Sequence, residues 1–195
     1  MATTPARRPG RPRDARADEA ILEAAAAVLA EQGPGGFTVD AVAARAGRGK
    51  ATIYRRWPSR AHLMLDTARL AGVVLDDPDT GSVVEDLVTI LGHLAEKLTT
   101  SSVGPLVAAT IAEAAVNEET RKVYAEFIGE RRAVPVQVVQ RAIDRGELRA
   151  DADPDLVVDI VSGPVFLRAF MSQAPLDETV LRRVVTTVLE GVRAR

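Results

Sequence analysis

The segment between Thr38 and Pro58 constrains the fold more than any other part of the chain. Apolar residues after Thr38 follow a helical spacing up to Ala46, Gly47 interrupts it, and a second short stretch runs to Trp57. Threonine is a favoured N-cap, glycine readily adopts the left-handed conformation after a helix, and proline prevents continuation. The segment is therefore predicted to form a helix, a tight turn and a second helix, which is the layout of a helix-turn-helix motif.

Helical periodicity continues through the rest of the chain, and no strand signal or internal repeat stands out. Glycine, proline and aspartate clusters separate the periodic stretches, as expected at helix ends. Hydrophobic residues make up 47% of the 195 residues, which is enough to build a core. The predicted helices cover residues 14–31, 38–46, 50–57, 60–74, 83–98, 106–115, 117–145, 153–174 and 177–192. We therefore expect an all-α fold of about nine helices.

Composition and charge divide the chain into three parts. Residues 1–13 are rich in Pro, Gly and Arg and lack apolar periodicity, which predicts a disordered basic arm. Residues 14–60 form the predicted N-terminal three-helix helix-turn-helix domain, and residues 61–195 the C-terminal helical bundle joined to it. Residues 1–62 contain 11 Lys+Arg and 6 Asp+Glu, whereas residues 63–195 contain 14 and 21. A basic end on an acidic body is the distribution expected when one end binds a polyanion.

Composition also excludes several functional classes. The chain has no cysteine and two histidines, so disulfides and Cys- or His-rich metal sites are excluded, and no cofactor is expected. No nucleophile-elbow, zinc-helix or phosphate-loop motif appears, which argues against an enzyme and leaves an all-helical enzyme as a minor alternative. No apolar window of about 18 residues exists, and acidic residues precede the first apolar run. Neither a membrane helix nor a secretory signal is expected, and a cytoplasmic protein is predicted.

Basic, hydroxyl and aromatic side chains gather in residues 48–60. Ile53 is the apolar anchor of the predicted second helix, whereas Lys50, Tyr54 and Arg55 around it cannot all be buried without partners. We therefore expect them on the exposed side of a short helix held against a small core. A solvated helix face is the plain interpretation, and a DNA-binding surface is the functional one that the order of motifs favours.

The stretch from Ile21 to Met64 resembles the DNA-binding domain of the TetR family of transcriptional regulators. The motifs ILEAA, T…VA..AG, K.TIY..W and PSR..L follow one another on the first to fourth helices, in the order and at the gaps usual for that family. The acidic helical remainder resembles, more weakly, the family's variable ligand-binding and dimerisation domain. The resemblance implies that residues 50–56 are a recognition helix for the major groove of DNA, with Tyr54 and Trp57 holding it in place.

Side chains around this helix are expected to divide between phosphate and base contacts. The resemblance implies phosphate contacts for Thr38, Tyr54 and Arg60. By charge and position, Arg48 is added to them, and so are the arm residues Arg11 and Arg13 unless the arm is only a solubilising tail. Base contacts are predicted for Lys50, Thr52 and Arg55, because these side chains can bond guanine or touch a thymine methyl, and the small Ala51 lets the helix approach the groove.

Three positions depart from the family pattern. Arg60 opens the fourth helix where a lysine is usual, which keeps the charge but changes its geometry. Arg48 stands where a small apolar residue is usual, and Gly49 stands where a serine caps the helix. Glycine caps almost as well as serine, so little stability should be lost there.

The resemblance also implies a function. We expect a homodimer that binds a palindromic DNA operator and is released by a small, largely apolar effector; repression is the commoner outcome in the family. The last two helices, about 153–174 and 177–192, carry wide apolar arcs and are expected to form the dimer interface, unless both lie in the core of one chain. An architectural DNA-binding protein without operator specificity is the alternative, which the acidic body disfavours. The candidates for an effector cavity are Leu91, Leu94, Tyr124, Phe127, Phe166 and Phe170, although such residues more often only fill a core.

Overall fold

The structure is a computed structural model, and it describes residues 15–70 and 77–193. Within these ranges the chain forms nine α-helices and one isolated antiparallel bridge, between Leu148 and Arg193. The helices are α1 (Ala15–Gly36), α2 (Val39–Ala46), α3 (Lys50–Tyr54), α4 (Arg60–Leu70), α5 (Val83–Thr100), α6 (Val103–Val116), α7 (Glu118–Asp144), α8 (Pro154–Phe166) and α9 (Glu178–Glu190). A π-helical segment, Leu167–Ser172, continues α8. The all-α prediction is confirmed.

Helices α1 to α4 surround one core, and we call residues 15–70 the head. Ile21 of α1, Val42 of α2 and Ile53 of α3 are fully buried in it. Leu63 and Met64 of α4 are buried in the same cluster. The predicted boundary at residues 60 and 61 stays a prediction, but the side chains of α4 pack with the helix-turn-helix.

Helices α5 to α9 form a second core, and we call residues 77–193 the body. Leu87 and Leu91 of α5, Val138 of α7, Val161 of α8 and Val185 of α9 are buried together there. The two cores meet, because Leu106 of α6 and Phe127 of α7 are buried in the cluster of the head. None of the described helices combines the length and apolar character needed to cross a membrane.

Several elements differ in length from their predictions. Helix α1 continues to Gly36, but its backbone leaves the helical region at Gly33, where φ is +66°, just before Pro34. Helix α3 ends at Tyr54 rather than Trp57, and a hydrogen-bonded turn carries the chain onward, with the Trp57 amide donating to the Ile53 carbonyl at 2.8 Å. The predicted arm, with Arg11 and Arg13, and residues 71–74 of the fourth predicted helix lie outside the described residues.

Candidate DNA-binding surface and effector cavity

Local capping fixes the geometry of the turn between α2 and α3. The Thr38 hydroxyl accepts a hydrogen bond from the Ala41 amide at 3.1 Å, which confirms Thr38 as the N-cap of α2. Gly47 follows α2 with φ +62° and ψ +34°, the left-handed conformation predicted for it. Gly49 caps α3 in an extended conformation and has no side chain to donate or accept. The turn therefore depends on two glycines and one hydroxyl.

One side of α3 and the turn after it is fixed in the head. Ile53 is fully buried, and Trp57 is buried with its indole Nε1 donating to Asp66 Oδ2 of α4 at 2.8 Å. Arg56 forms an ion pair with Asp18 of α1. These contacts to α1 and α4 leave α3 little freedom to rotate, so its remaining side chains keep a fixed outward direction.

The outward side of this region collects the predicted DNA-binding residues. We call it the basic surface and define it as Thr38, Arg48, Lys50, Ala51, Thr52, Tyr54 and Arg55. All are exposed except Thr52, which is half-buried. Arg48 and Arg55 make no side-chain hydrogen bond or ion pair with another described residue. The surface therefore offers two free guanidinium groups beside hydroxyl groups, a combination that suits phosphates and guanine edges.

Lys50 is the one member of the basic surface with an acidic partner. Its Nζ lies 2.5 Å from Asp40 Oδ1 of α2, and this hydrogen bond raises the pKa of Lys50 above its ordinary value. Both side chains are exposed, so the ion pair contributes little to stability. A nucleic-acid acceptor can therefore replace Asp40 at small cost, and Lys50 stays charged in either state.

Arg60 is placed differently from the other predicted phosphate contacts. Its Nε donates to the Phe37 carbonyl at 2.8 Å, and one terminal nitrogen donates to the Pro34 carbonyl at 3.0 Å. The other terminal nitrogen binds Glu113 of α6 at 2.5 Å. All three nitrogens therefore have protein acceptors, and a phosphate would compete with them. The structure joins Arg60 to the turn before α2 and to the body; its phosphate contact stays a prediction.

A cavity of about 450 Å³ lies in the body between α5, α6, α7 and α8. Five of the six candidates line it, namely Leu91, Leu94, Tyr124, Phe127 and Phe166, whereas Phe170 does not. Its volume falls in the range typical of small-molecule sites, about 300–1,000 Å³. Phe127 also belongs to the core of the head. One side chain therefore lines the cavity and packs in the core that holds α3.

Sequence reasoning missed three side chains around these sites. Asp66 accepts the hydrogen bond from the Trp57 indole, and Glu113 accepts one from the Arg60 guanidinium. Arg131 lines the cavity. Each carries its charge on a helix whose sequence reads as an ordinary solvated face. Only the packing of α4, α6 and α7 brings them to these partners, so no local pattern identifies them.

Two family models match the chain in the two regions just described. Residues 21–67 match the model described as "Bacterial regulatory proteins, tetR family". Residues 77–188, more than half of the chain, match "Tetracyclin repressor-like, C-terminal domain". The chain belongs to the TetR family. As a member of the TetR family it is a DNA-binding transcriptional regulator and not an enzyme.

Relatives of this TetR-family regulator match along nearly the whole chain. The HTH-type transcriptional regulator YdeS of Bacillus subtilis (strain 168) is 35% identical over 187 residues, covering 95% of this chain and 94% of YdeS. The DNA-binding transcriptional repressor TetR of Mycobacteroides abscessus is 30% identical over 174 residues, covering 87% of this chain and 90% of that repressor. The head and the body therefore occur together in these relatives.

Solved structures share the same architecture. The TetR family transcription regulator SCO0332 superimposes with a TM-score of 0.79 at 28% identity, covering 91% of this chain and 98% of that chain. The transcriptional regulator FadR from Bacillus subtilis, solved in complex with stearoyl-CoA, shares the fold with a TM-score of 0.66 at 18% identity. That match covers 90% of this chain and all of FadR.

Proposed function

We propose that this regulator is a ligand-responsive repressor that binds a palindromic DNA operator as a homodimer in the cytoplasm. The observation that carries the proposal is the presentation of α3. Its apolar side is buried in the head through Ile53, while Lys50 and Arg55 lie exposed on the other side. A short helix held in this way, in the second position of a helix-turn-helix, fits the major groove of B-DNA.

The side chains of the basic surface suit two kinds of contact. Lys50 and Thr52 of α3 and Arg55, which directly follows α3, are proposed to contact base edges. Thr38, Arg48 and Tyr54 flank them and are proposed to contact phosphates, which position the head without reading sequence. Arg60 can contact a phosphate only if it gives up one of its hydrogen bonds to Phe37, Pro34 or Glu113. A single head makes few contacts, so useful affinity requires two half-sites and two copies of the chain.

An exposed apolar stripe supports a dimer through the last helices. Leu156, Ile160, Leu167 and Met171 recur at helical spacing along α8 and the π-helical segment, and their exposed fractions run from 47% to 78%. In α9, by contrast, Leu181 and the other fully buried apolar residues face the core of the body. Monomeric proteins rarely expose a continuous stripe of this kind. We therefore propose that α8 supplies most of the interface, with α9 beside it.

The dimer proposal has a matched test. Ile160→Asp should give a monomer in sedimentation-equilibrium experiments, because it places a charge in the centre of the stripe. Val116→Asp is the control, since Val116 is 88% exposed at the end of α6 and outside the stripe. If both variants stay dimeric, the interface lies elsewhere.

Contacts between the cavity and the head support release by a ligand. Val107 and Ile111 of α6 line the cavity, and Glu113 two residues further binds Arg60 at the start of α4. Glu113 also accepts a hydrogen bond from Thr120 of α7 at 3.1 Å. A ligand that moves α6 would therefore pull on α4, and with it on the distance between the two recognition helices of a dimer.

Selection of bound duplexes from a random pool tests the DNA-binding proposal. We expect an enriched palindrome whose half-sites lie about one helical turn, or a multiple of it, apart. Comparable affinity for every duplex at matched salt would instead favour the architectural alternative. The selected operator then serves to score small molecules by the DNA they release. A reporter gene placed behind the operator distinguishes repression from activation.

A further inference from the structure

The cavity of the body has apolar walls and an excess of positive charge. Four charged residues line it, namely Lys97, Arg131, Arg132 and Asp159. Arg132 binds Asp159 and, at 2.9 Å, Asp155, so the one carboxylate on the wall is already neutralised. Lys97 and Arg131 form no ion pair with any described residue. Two positive charges in the wall therefore lack a counter-charge.

Arg131 is the more enclosed of these two cations. Its Nε is shut off from solvent and has no hydrogen-bond acceptor. Its guanidinium carbon lies 4.8 Å from the centre of the Phe127 ring, which holds the group against the wall. Burial lowers the pKa of Arg131, and the neighbouring Arg69 lowers it further. A buried donor of this kind without an acceptor destabilises a protein unless something else binds it.

The nearby acids are occupied by a different arginine. Arg69 lies near the same Phe127 ring, 5.4 Å from its centre, and binds Asp66 and Glu130, the latter at 2.5 Å. Glu130 is the residue next to Arg131 in the chain, yet its carboxylate bonds Arg69. Arg131 is thus left as a fixed, unneutralised donor rather than as a member of an internal ion-pair network.

A second polar group lies on the same side of α7. Tyr124 precedes Arg131 by seven residues, two turns of helix, which places the two about 10 Å apart along α7. Its hydroxyl makes no hydrogen bond to another described residue, and burial raises the pKa of Tyr124 to about 12. Between the two polar groups, Phe127 and Ile128 line the cavity. The wall thus presents a cationic end, an apolar middle and a neutral hydroxyl.

We propose that the effector is an apolar molecule that carries one carboxylate, which binds the Arg131 guanidinium while its hydrocarbon part fills the cavity. Lys97 adds positive charge to the wall, and Tyr124 can bond a second polar group of the ligand. The inference rests on the proposed function, because it takes the cavity to be the effector site. A neutral or cationic apolar molecule would leave the positive charge of Arg131 without a counter-charge, so the site selects against both.

Matched pairs of probes test the preference for an anion. The acids are decanoate and 2-naphthoate, and their neutral counterparts are decanol and 2-naphthol, each titrated calorimetrically into the full-length protein. We expect at least one acid to bind about tenfold or more tightly than its counterpart, since hydrogen bonds to a charged group carry that much discrimination. Equal affinity within both pairs, or no binding of either acid at about 1 mM, would overturn the proposal.

Substitution of Arg131 tests the residue assignment. Arg131→Met keeps an unbranched side chain without charge, and should bring the acid-to-neutral ratio close to one while decanol still binds. Arg131→Gln also removes the charge but keeps a polar side chain, and should likewise bring the ratio close to one, which decides the question if the methionine variant does not fold. Arg131→Lys retains a cation and should keep most of the preference. The control is Lys122→Met, because Lys122 lies on α7 in an exposed pair with Glu118. An unchanged ratio in Arg131→Met would refute the role of Arg131.

Operator release separates this inference from the function on which it rests. If the alcohols release the operator as well as the acids do, the cavity is an effector site and the carboxylate inference is wrong. If an acid binds in an Arg131-dependent way but leaves the operator bound, the anion site stands and the proposed regulation fails.

Discussion

Arginine side chains are arranged differently on the DNA-binding side of the head and in the body. Arg48 and Arg55 lie exposed in the basic surface with no acidic partner among the described residues. In the body, Arg132 binds Asp155 and Asp159, and Arg182 binds Glu85 and Glu178. Arg48 and Arg55 therefore supply free charge, whereas Arg132 and Arg182 join helices of the body.

Glycine residues also serve different purposes in the two regions. Gly47 has φ +62° and open space where a side chain would begin, so it serves the backbone conformation of the turn. A Cβ on Gly104, at the start of α6, would lie 1.9 Å from the Leu98 carbonyl oxygen, so this glycine serves a close approach of α6 to α5. A side chain at Gly47 should therefore cost backbone strain, whereas a side chain at Gly104 should cost a steric clash.

The largest effect is expected at the close approach of α5 and α6. Gly104→Ala forces a methyl group against backbone that cannot rotate away, and overpacking of this kind destabilises by about 3 kcal/mol in severe cases. Urea unfolding measures the loss. The control is Gly92→Ala in the middle of α5, where nothing lies within 4 Å of the new methyl group. That change should stabilise the protein by about 0.5–1 kcal/mol through helix propensity. Equal stability of the two variants would remove the distinction between the glycines.

The next effect concerns the free charge of the basic surface. Arg55→Ala should lower the preference for the operator over a scrambled duplex by about 2 kcal/mol, because the proposed bidentate contact to guanine would be lost. Fluorescence anisotropy with both duplexes measures it. Arg149→Ala, which removes an exposed arginine paired with Asp151 in the body, should change neither affinity. Equal losses on operator and scrambled DNA would contradict base recognition by Arg55.

Arg48 gives the complementary outcome within the same surface. Arg48→Ala should weaken binding to both duplexes alike and reduce the slope of log K against log salt by about one, as expected for one lost phosphate contact. A change in sequence preference would instead place Arg48 against a base edge.

A smaller effect is expected from the backbone conformation of the turn. Gly47→Ala should destabilise the protein by about 1 kcal/mol, because residues with a Cβ disfavour the left-handed conformation. Gly47→Asn is the control, since asparagine tolerates this conformation better than alanine. Unfolding in urea measures both. If alanine and asparagine cost the same, the loss does not come from φ.

Local signals made the helix ends predictable. Thr38 and Gly47 act on backbone groups within four residues, so the sequence alone predicts their roles, and the structure confirms them. The length of α3 was overestimated, because an apolar position at Trp57 fits a helix and a turn equally well. The position of Trp57 is fixed by Asp66 of α4, which no local pattern reveals.

Long-range partners could not be predicted. Arg60 finds acceptors at Pro34, Phe37 and Glu113, which are 23 to 53 residues away in the sequence. The apolar arcs on α8 and α9 look alike in sequence. In the structure, the apolar side of α9 is buried in the core of the body, whereas Leu156 and Ile160 of α8 are exposed. A binding role for the charge of Arg131 can be inferred only from the cavity that this side chain lines.

The smallest predicted effect is a pH dependence confined to the ion pairs of the body. Hydrogen bonds from Arg182 hold the pKa of Glu85 below its ordinary value of 4.5, so the pair stabilises the folded state above that pH. The contribution is lost as the pH falls through the lowered pKa. Arg182→Met should therefore lower the Tm by a few degrees at most at pH 7, since both groups are exposed, and the difference in Tm from the native protein should shrink below pH 4.5.

Arg55→Ala should show no such difference at any pH, because Arg55 has no acidic partner whose pKa it could lower. A difference for Arg182→Met that widened on acidification, or one of equal size for Arg55→Ala, would mean that paired and free arginines contribute alike, and the contrast between the two regions would fail.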